Sequence, residues 1–477
     1  MVAVIRQVSW VGVFVAAAGL AAAETLLAYQ TSPLIAIGIP VAVVTVTVIF
    51  IYPMLGVYAG ILAVPLEILR ISVGSVGLTP AKGLLLITAI ATSVRFLGSG
   101  RAHVPHIAHL AYAGGLVIMA LGVLVARDTY IVQKLLVIWT SCLLLSLLVA
   151  SADRKQIKRA LICLAISGAI VGLLGALGAA GQQEVEAGGT IITNRATSSF
   201  SHPNQLAFFL ELTIPLALVL ALRGPAPLRL PMVGAAGISI AGLLFTLSRG
   251  GIIGTALSLL IMLAWTPFRR LAAGLLCVLL VFAVANSGKL ESSHELSIVQ
   301  TRLATVTSGD SRNNGRLRIW KTTPSIIADH PLLGVGEGNF SRYSLQYGLS
   351  EFGGPFLHAH NVPLTLGAEL GVAGLALVIV FFWGVARTAL GTLRYRSHPD
   401  FPFALALAAG LGALFLNSMT DYPPGSDPIL AAAMIEVGAL IALYRYMRKG
   451  GDLQPAPPAL PASLDPQRRQ TLARGST

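Results

Sequence analysis

Apolar positions in this chain gather into long runs divided by short polar breaks. The runs fall near 8–28, 33–52, 54–69, 80–97, 107–126, 131–150, 160–178, 205–222, 231–247, 251–267, 271–286, 363–386, 402–419 and 428–446. Most approach the ~20 residues that a helix needs to cross a bilayer core. The pattern predicts an all-α integral membrane protein with about 12–14 transmembrane helices. The lower count applies because the third run is short, and because only Pro267-Phe268-Arg269-Arg270 separates the tenth run from the eleventh.

Composition sharpens this picture. The 477 residues are 55% hydrophobic and 11% charged, with a mean hydropathy of +0.78. Soluble domains are nearer 25% charged, so a water-soluble fold is excluded. Cys142, Cys163 and Cys277 all lie in apolar runs. They form neither a disulfide framework nor a metal spacing, and are expected to pack between helices. The first residues, MVAVIRQVSWVGVFVAAAGLAAAE, imitate a signal peptide. Because further spans follow at once, they are read as an uncleaved first helix.

Basic residues set the orientation. With a cytoplasmic N-terminus, twenty of the thirty-three lysines and arginines fall in inside loops and the tail. Seven of the others share one long outer loop, 287–362, which the rule discounts. Both termini are then cytoplasmic, and the net charge of +13 is mostly this asymmetry. No concentrated basic patch points to nucleic acid. Two outer segments stand out, 179–204 and 287–362. The second far exceeds a usual connection, and such loops are usually functional. It includes an amphipathic stretch near 315–329, expected to be interrupted by Pro324, and the turn-rich HPLLGVGEGNF. The tail 450–477, rich in Pro, Ala and Arg, reads as disordered.

This topology brings together polar residues far apart in sequence: Arg195, Arg249, Arg316, Arg318, His360 and Asn361 all fall on the outer face. Arg249, in TLSRGGIIG, lies at or just above membrane depth. There an arginine costs a few kcal/mol unless paired or solvated; the plainer reading is a snorkelling helix end. Gly250, Gly251 and Gly254 would let a helix or ligand approach closely. Grouped guanidinium forks suit an anion such as a phosphate. For Arg316 and Arg318 the alternative is a solvated or headgroup-facing helix. A neutral imidazole at His360 can accept a proton from a hydroxyl; alternatively His360 is a loop histidine, with Asn361 capping the next helix. Glu369, nine residues on, is expected to face the same cavity, and Gly371 and Gly374 to allow close helix packing. Trp320 either stacks on sugar or packs at the interface. His103, His106 and His109 do not keep one helix face and are read as loop polarity, so no metal site is expected.

Four stretches resemble the O-antigen ligase and polymerase family of polytopic bacterial membrane proteins. They are NQLAFFLELTIPLALVL (204–220), TLSRGGIIG (246–254), GRLRIWKTTPSIIADHPLLGVGEGNF (315–340), and His360-Asn361 followed at nine residues by Gly371 and then Gly374. The resemblance implies a multi-span, GT-C-like glycosyltransferase in the bacterial inner membrane. An N-terminal transmembrane bundle (1–190) would precede a ligase-like catalytic region (191–449). The implied donor is a glycan on undecaprenyl pyrophosphate, used at the periplasmic face. The acceptor is a glycan or lipid hydroxyl, among membrane lipids. No metal or other cofactor is implied, and inversion is expected. By the same resemblance His360, Arg249 and Arg316 are catalytic, and Arg195 and Arg318 are weaker assignments for binding substrate with Asn361, Trp320 and Glu369. Polymerases and protein-glycosylating relatives share these motifs. A flippase for the same lipid-linked sugars is the rival of another class, and it predicts repeated halves and a midplane site. One-sided polar clustering favours the enzyme.

Overall fold

The computed structural model describes residues 33–73, 76–99, 106–180, 185–187, 190–192, 195–271, 311–351 and 354–451. The first run and its signal-like sequence, the run at 271–286, Cys277, His103 and nearly all of the tail lie outside them. Each of the twelve other apolar runs is a helix. They are α1 (Pro33–Ile51), α2 (Pro53–Leu62), α3 (Pro80–Ser99), α4 (Ile107–Gly122), α5 (Thr129–Ala150), α6 (Arg154–Ala180), α7 (Pro203–Arg223), α8 (Ala226–Phe245), α9 (Arg249–Met262), α12 (Val362–Thr392), α13 (Phe401–Ser418) and α14 (Asp427–Gly451). Within the long loop 287–362 lie α10 (Ser311–Asp329) and the short α11 (Phe340–Ser344). Among the described residues, eight helices are long and apolar enough to cross a membrane. The chain is an all-α multi-span membrane protein, with three small antiparallel hairpins as its only sheet among the described residues.

Helices that are apolar all round belong in the interior of such a bundle. α7 is buried over almost its whole length, from Leu206 to Leu220, and α13 and α14 are largely buried too. α7 packs on α6, α8, α9 and α13, while α4 packs on α12 and α5 on α14. One continuous hydrophobic cluster therefore runs from Met54 to Met447. Outer helices turn large side chains outward, among them Val41, Leu97, Leu230 and Ile379, as a lipid-facing surface requires.

Loop contacts define the two ends. Asn204 meets Asp421, Arg195 meets Thr246, Arg342 meets Asp128, and Lys82 meets Asp427 at one end. Arg154 and Lys158 meet Asp400, and the Tyr446 hydroxyl meets the Ala152 carbonyl, at the other. Loops sorted to the same side by their basic residues thus share an end of the bundle.

Two local expectations fail. Pro324 does not interrupt α10, which runs through it from Ser311 to Asp329. Gly371 does not serve helix–helix packing: α12 kinks there, with Gly371 at φ +68°. The kink frees carbonyls, and the HPLLGVGEGNF turn takes them. Val335 N–H donates to the Ala368 carbonyl at 2.9 Å and Gly336 N–H to that of Glu369 at 3.0 Å. In return Val372 N–H donates to the Pro331 carbonyl at 2.9 Å. A Cβ on Gly371 would stand 2.5 Å from the Leu332 carbonyl oxygen, and one on Gly334 2.4 Å from the Glu369 backbone. Gly374 instead faces Leu370 of its own helix.

Candidate functional site

Of the helices that begin at the site end, three are capped by side chains around the cluster. His202 Nδ1 accepts from Asn204 N–H at the start of α7 (3.1 Å), Ser248 Oγ from Gly251 N–H at α9 (3.3 Å), and Asn361 Oδ1 from Leu364 N–H at α12 (2.9 Å). Helix N-termini carry partial positive charge, and together they favour an anion. Asn361 also donates from Nδ2 to the Met419 carbonyl at 2.9 Å, pinning α12 to the loop after α13.

Asp421 is the centre of the cluster. Its Oδ1 lies 3.0 Å from His360 Nδ1 and accepts Tyr422 N–H at 2.9 Å; its Oδ2 accepts Asn204 Nδ2 at 2.6 Å. Arg316 Nη2 stands 3.9 Å from Oδ2. Arg195 donates from Nη2 to Asn204 Oδ1 (3.1 Å) and from Nε to the Thr246 carbonyl (2.7 Å). Arg195 thereby joins the segment before α7 to the ends of α7 and α8. Burial would raise the Asp421 carboxyl, but the hydrogen bond from His360, with Arg316 nearby, holds it well below the usual carboxylate range. An ionised acceptor on Nδ1 fixes the imidazole tautomer with its proton there and leaves Nε2 as the basic nitrogen. Among the described residues, nothing bonds Nε2.

His358 packs edge-on against His360, with centroids 4.3 Å apart, and stacks on Tyr422 at 5.1 Å. Its Nδ1 accepts His360 N–H at 3.2 Å. Burial, then the neighbouring His360, push the His358 pKa down to about 4, so the ring is neutral near pH 7. His202 is lowered by burial and by Arg195.

Three described non-glycine residues adopt positive φ: Ser198 (55°), Leu247 (50°) and His360 (49°). All three lie in segments that build this site, where such strain is commonly stored. Leu247 reverses the chain between α8 and α9, which puts Arg249 at the first position of α9; its side chain lies outside the described residues. The close approach expected at the neighbouring glycines is that of helices: a Cβ on Gly250 would stand 2.3 Å from Asn417 Oδ1 of α13.

Of the residues singled out from sequence, the structure gathers His360, Asn361, Arg316 and Arg195. Trp320 is adjacent, donating from Nε1 to the Ala359 carbonyl at 3.0 Å, and so braces the His360 loop from α10. Arg318 is exposed and donates to the Gly348 carbonyl, away from Asp421. Glu369 does not face the His360 cluster; it lies behind Tyr422, against Glu337. Sequence reasoning missed Asp421, Asn204, His202 and Tyr422. Asp421 had a signal: it sits in the turn between the last two spans, NSMTDYPPG, and is one of only twenty acids in the chain.

His358, His360 and Asp421 present ligand atoms within 4.8 Å of one another, close enough for one cation. Their mutual hydrogen bonds account for this spacing, and the nearby Arg195 and Arg316 oppose a cation, so no metal is assigned to them. Beside the cluster opens an apolar cavity of about 460 Å³ between α4, α12, α13 and α14, lined by Tyr112, Leu366, Leu370, Phe382, Pro423 and Leu430 among others. Pro423 is two residues from Asp421.

No curated relative matches the chain. Among solved structures, a chain from a study of how a peptidoglycan synthase complex coordinates polymerization and crosslinking aligns at 16% identity. The alignment covers 71% of this chain and 96% of that one, with a TM-score of 0.41, too distant to argue from. The family model described as O-antigen ligase matches residues 234–379, the span that includes Arg249, Arg316 and His360. Over that span the chain is similar to the O-antigen ligase family.

Proposed function

We propose that this protein is a membrane glycosyltransferase that moves a glycan from an undecaprenyl-pyrophosphate carrier to an acceptor hydroxyl. The reaction would take place at the outer face of the inner membrane, with both termini cytoplasmic. The observation that carries this reading is the His360–Asp421 pair, set among arginines and helix N-termini beside an apolar cavity.

In this reading the acceptor hydroxyl gives its proton to His360 Nε2. Its oxygen attacks the anomeric carbon from the face opposite the leaving group. The bond from that carbon to the phosphate oxygen breaks, and the pyrophosphate departs with the electron pair, so the configuration inverts. Arg316 and Arg249 stabilise the charge that develops on the leaving group, and Arg195 adds to the field. Asp421 holds the imidazole in the productive tautomer and stabilises the imidazolium. The apolar cavity takes the polyprenyl chain. No step requires a metal. The test is transfer from purified lipid-linked donor in proteoliposomes: His360→Ala and Arg249→Ala should each lower it by about a hundredfold or more, and retention of full turnover by both would end the scheme. The glycan that accumulates in a deletion strain separates ligation from polymerisation.

A further inference from the structure

A second polar group lies behind the site, and the scheme above does not use it. Glu337, from the HPLLGVGEGNF turn, and Glu369, from α12, are 1% and 2% exposed. Their carboxyl groups are within hydrogen-bond contact of each other. Glu369 Oε1 accepts Phe340 N–H at 3.0 Å, and Glu337 Oε1 accepts the Tyr422 hydroxyl at 3.1 Å. Glu337 Oε2 has no other hydrogen-bond partner among the described residues. The other titratable group facing Glu337 is Tyr112 of α4, whose hydroxyl is likewise unpartnered there. Among the described residues, no lysine or arginine answers either acid. Two buried carboxylates in contact, without a cation, cannot both stay ionised. A proton between them removes the repulsion and supplies the missing donor, and burial raises Glu337 in the same direction.

Tyr422 connects this pair to the site. Its hydroxyl reaches Glu337, its ring stacks on His358, and its backbone N–H donates to the Asp421 oxygen that also meets His360. We infer that Tyr422 is a positioning residue, anchored by a Glu337–Glu369 pair that holds one proton between its two carboxyls, and that it fixes His358 and Asp421 for His360. The inference rests on the proposed transfer reaction only where turnover is read.

Three measurements on the full-length protein in nanodiscs test it. Infrared spectroscopy near pH 7.5 should show a protonated carboxyl band that Glu369→Gln removes; its absence from the wild type overturns the shared proton. Hydrogen exchange at residues 419–427 should quicken roughly tenfold in Tyr422→Phe, which keeps the ring but loses the anchor, at an unchanged melting temperature. Equal exchange overturns the anchoring, whether or not the protein is a transferase. Where the wild type transfers glycan, Tyr422→Phe should lower kcat about tenfold with donor KM within about twofold, and Glu369→Gln, which preserves a neutral donor, should stay near wild type. An unchanged kcat in Tyr422→Phe refutes the positioning role, and a wild type without transfer refutes the reaction alone.

Discussion

The two ends of the helix bundle carry clusters made from the same parts, an aspartate, a histidine and two basic side chains, yet they are finished differently. At one end Asp400 is 1% exposed and takes Lys158 at 3.0 Å and Arg154 at 3.2 Å, while its own N–H donates to His398 Nδ1. Both cations there are paired with the carboxylate, and none of the three described non-glycine residues at positive φ lies near it. At the other end Asp421 meets a histidine and an amide, the Arg316 guanidinium stands 3.9 Å away, and His360 is held left-handed. One cluster closes a seam between α6, α13 and α14; the other keeps bonding capacity in reserve. A group of charges is therefore weak evidence for chemistry. Unspent valence on a strained backbone is better evidence.

The widest gap between the ends should appear when each histidine is removed. His360→Ala should cost roughly 10²–10⁴-fold in turnover, the range for loss of a general base. His398→Ala should stay within about twofold, since nothing there faces substrate in the proposed scheme. Both are read as glycan transfer per folded enzyme, and equal losses would erase the distinction.

The aspartates should divide by kind of effect. Asp421→Asn offers His360 Nδ1 a neutral amide that no longer fixes the imidazole tautomer, and turnover should fall about ten- to a hundredfold with little change in melting temperature. Asp400→Asn should keep turnover and lose about 1 kcal/mol of stability, because its cationic partners are 45% and 40% exposed and screened by solvent. Calorimetry beside the transfer assay checks both. A crossover, with Asp400→Asn inactive and stable, would mean that the clusters had been assigned the wrong way round.

A smaller difference is expected in acid. Burial and the neighbouring His360 depress His358 to about 4, against ~6.5 in an unfolded chain. Below pH ~6.5 the unfolded state binds a proton that the folded state refuses, so stability falls as pH drops from about 6.5 towards 4. His358→Asn keeps an acceptor for His360 N–H without titrating, and should flatten part of the slope in melting temperature. His398 is lowered too, first by burial, and supplies some of the remainder. Stability that rose on acidification would contradict the neutral His358 that the site requires.

Much of the fold was legible in sequence because crossing a membrane is a demand on length and hydropathy, and both are local. Each apolar run that falls on described residues became a helix with ends shifted by a few residues, as α6 shows by beginning at Arg154 rather than 160. Charge sorting then brought His360 near Arg195 and Arg316 without any distance being known. What stayed hidden depended on pairing. Asp421 lies 61 positions from His360, and no local pattern joins an outer turn to the cap of another helix. Gly371 read as a packing glycine because its partner is loop backbone, and sequence spacing does not distinguish a kink that accepts a turn from a face that accepts a helix.

The smallest expected effect concerns information that the sequence did contain. Arg316 and Arg318 read together as anion ligands, yet residues two apart on a helix point about 200° away from each other. Only one can face Asp421 from α10. The structure gives that place to Arg316 and turns Arg318 to the Gly348 carbonyl at the exposed side of the loop. Arg318→Ala should therefore leave turnover within about twofold and shift the melting temperature slightly, in keeping with the small contribution of exposed charged contacts. Arg316→Ala should lose turnover at least tenfold, as removal of one transition-state donor does. Titrating donor concentration in both variants separates the two positions. If Arg318→Ala proved the more damaging, α10 would have to turn by about half a circle when substrate binds.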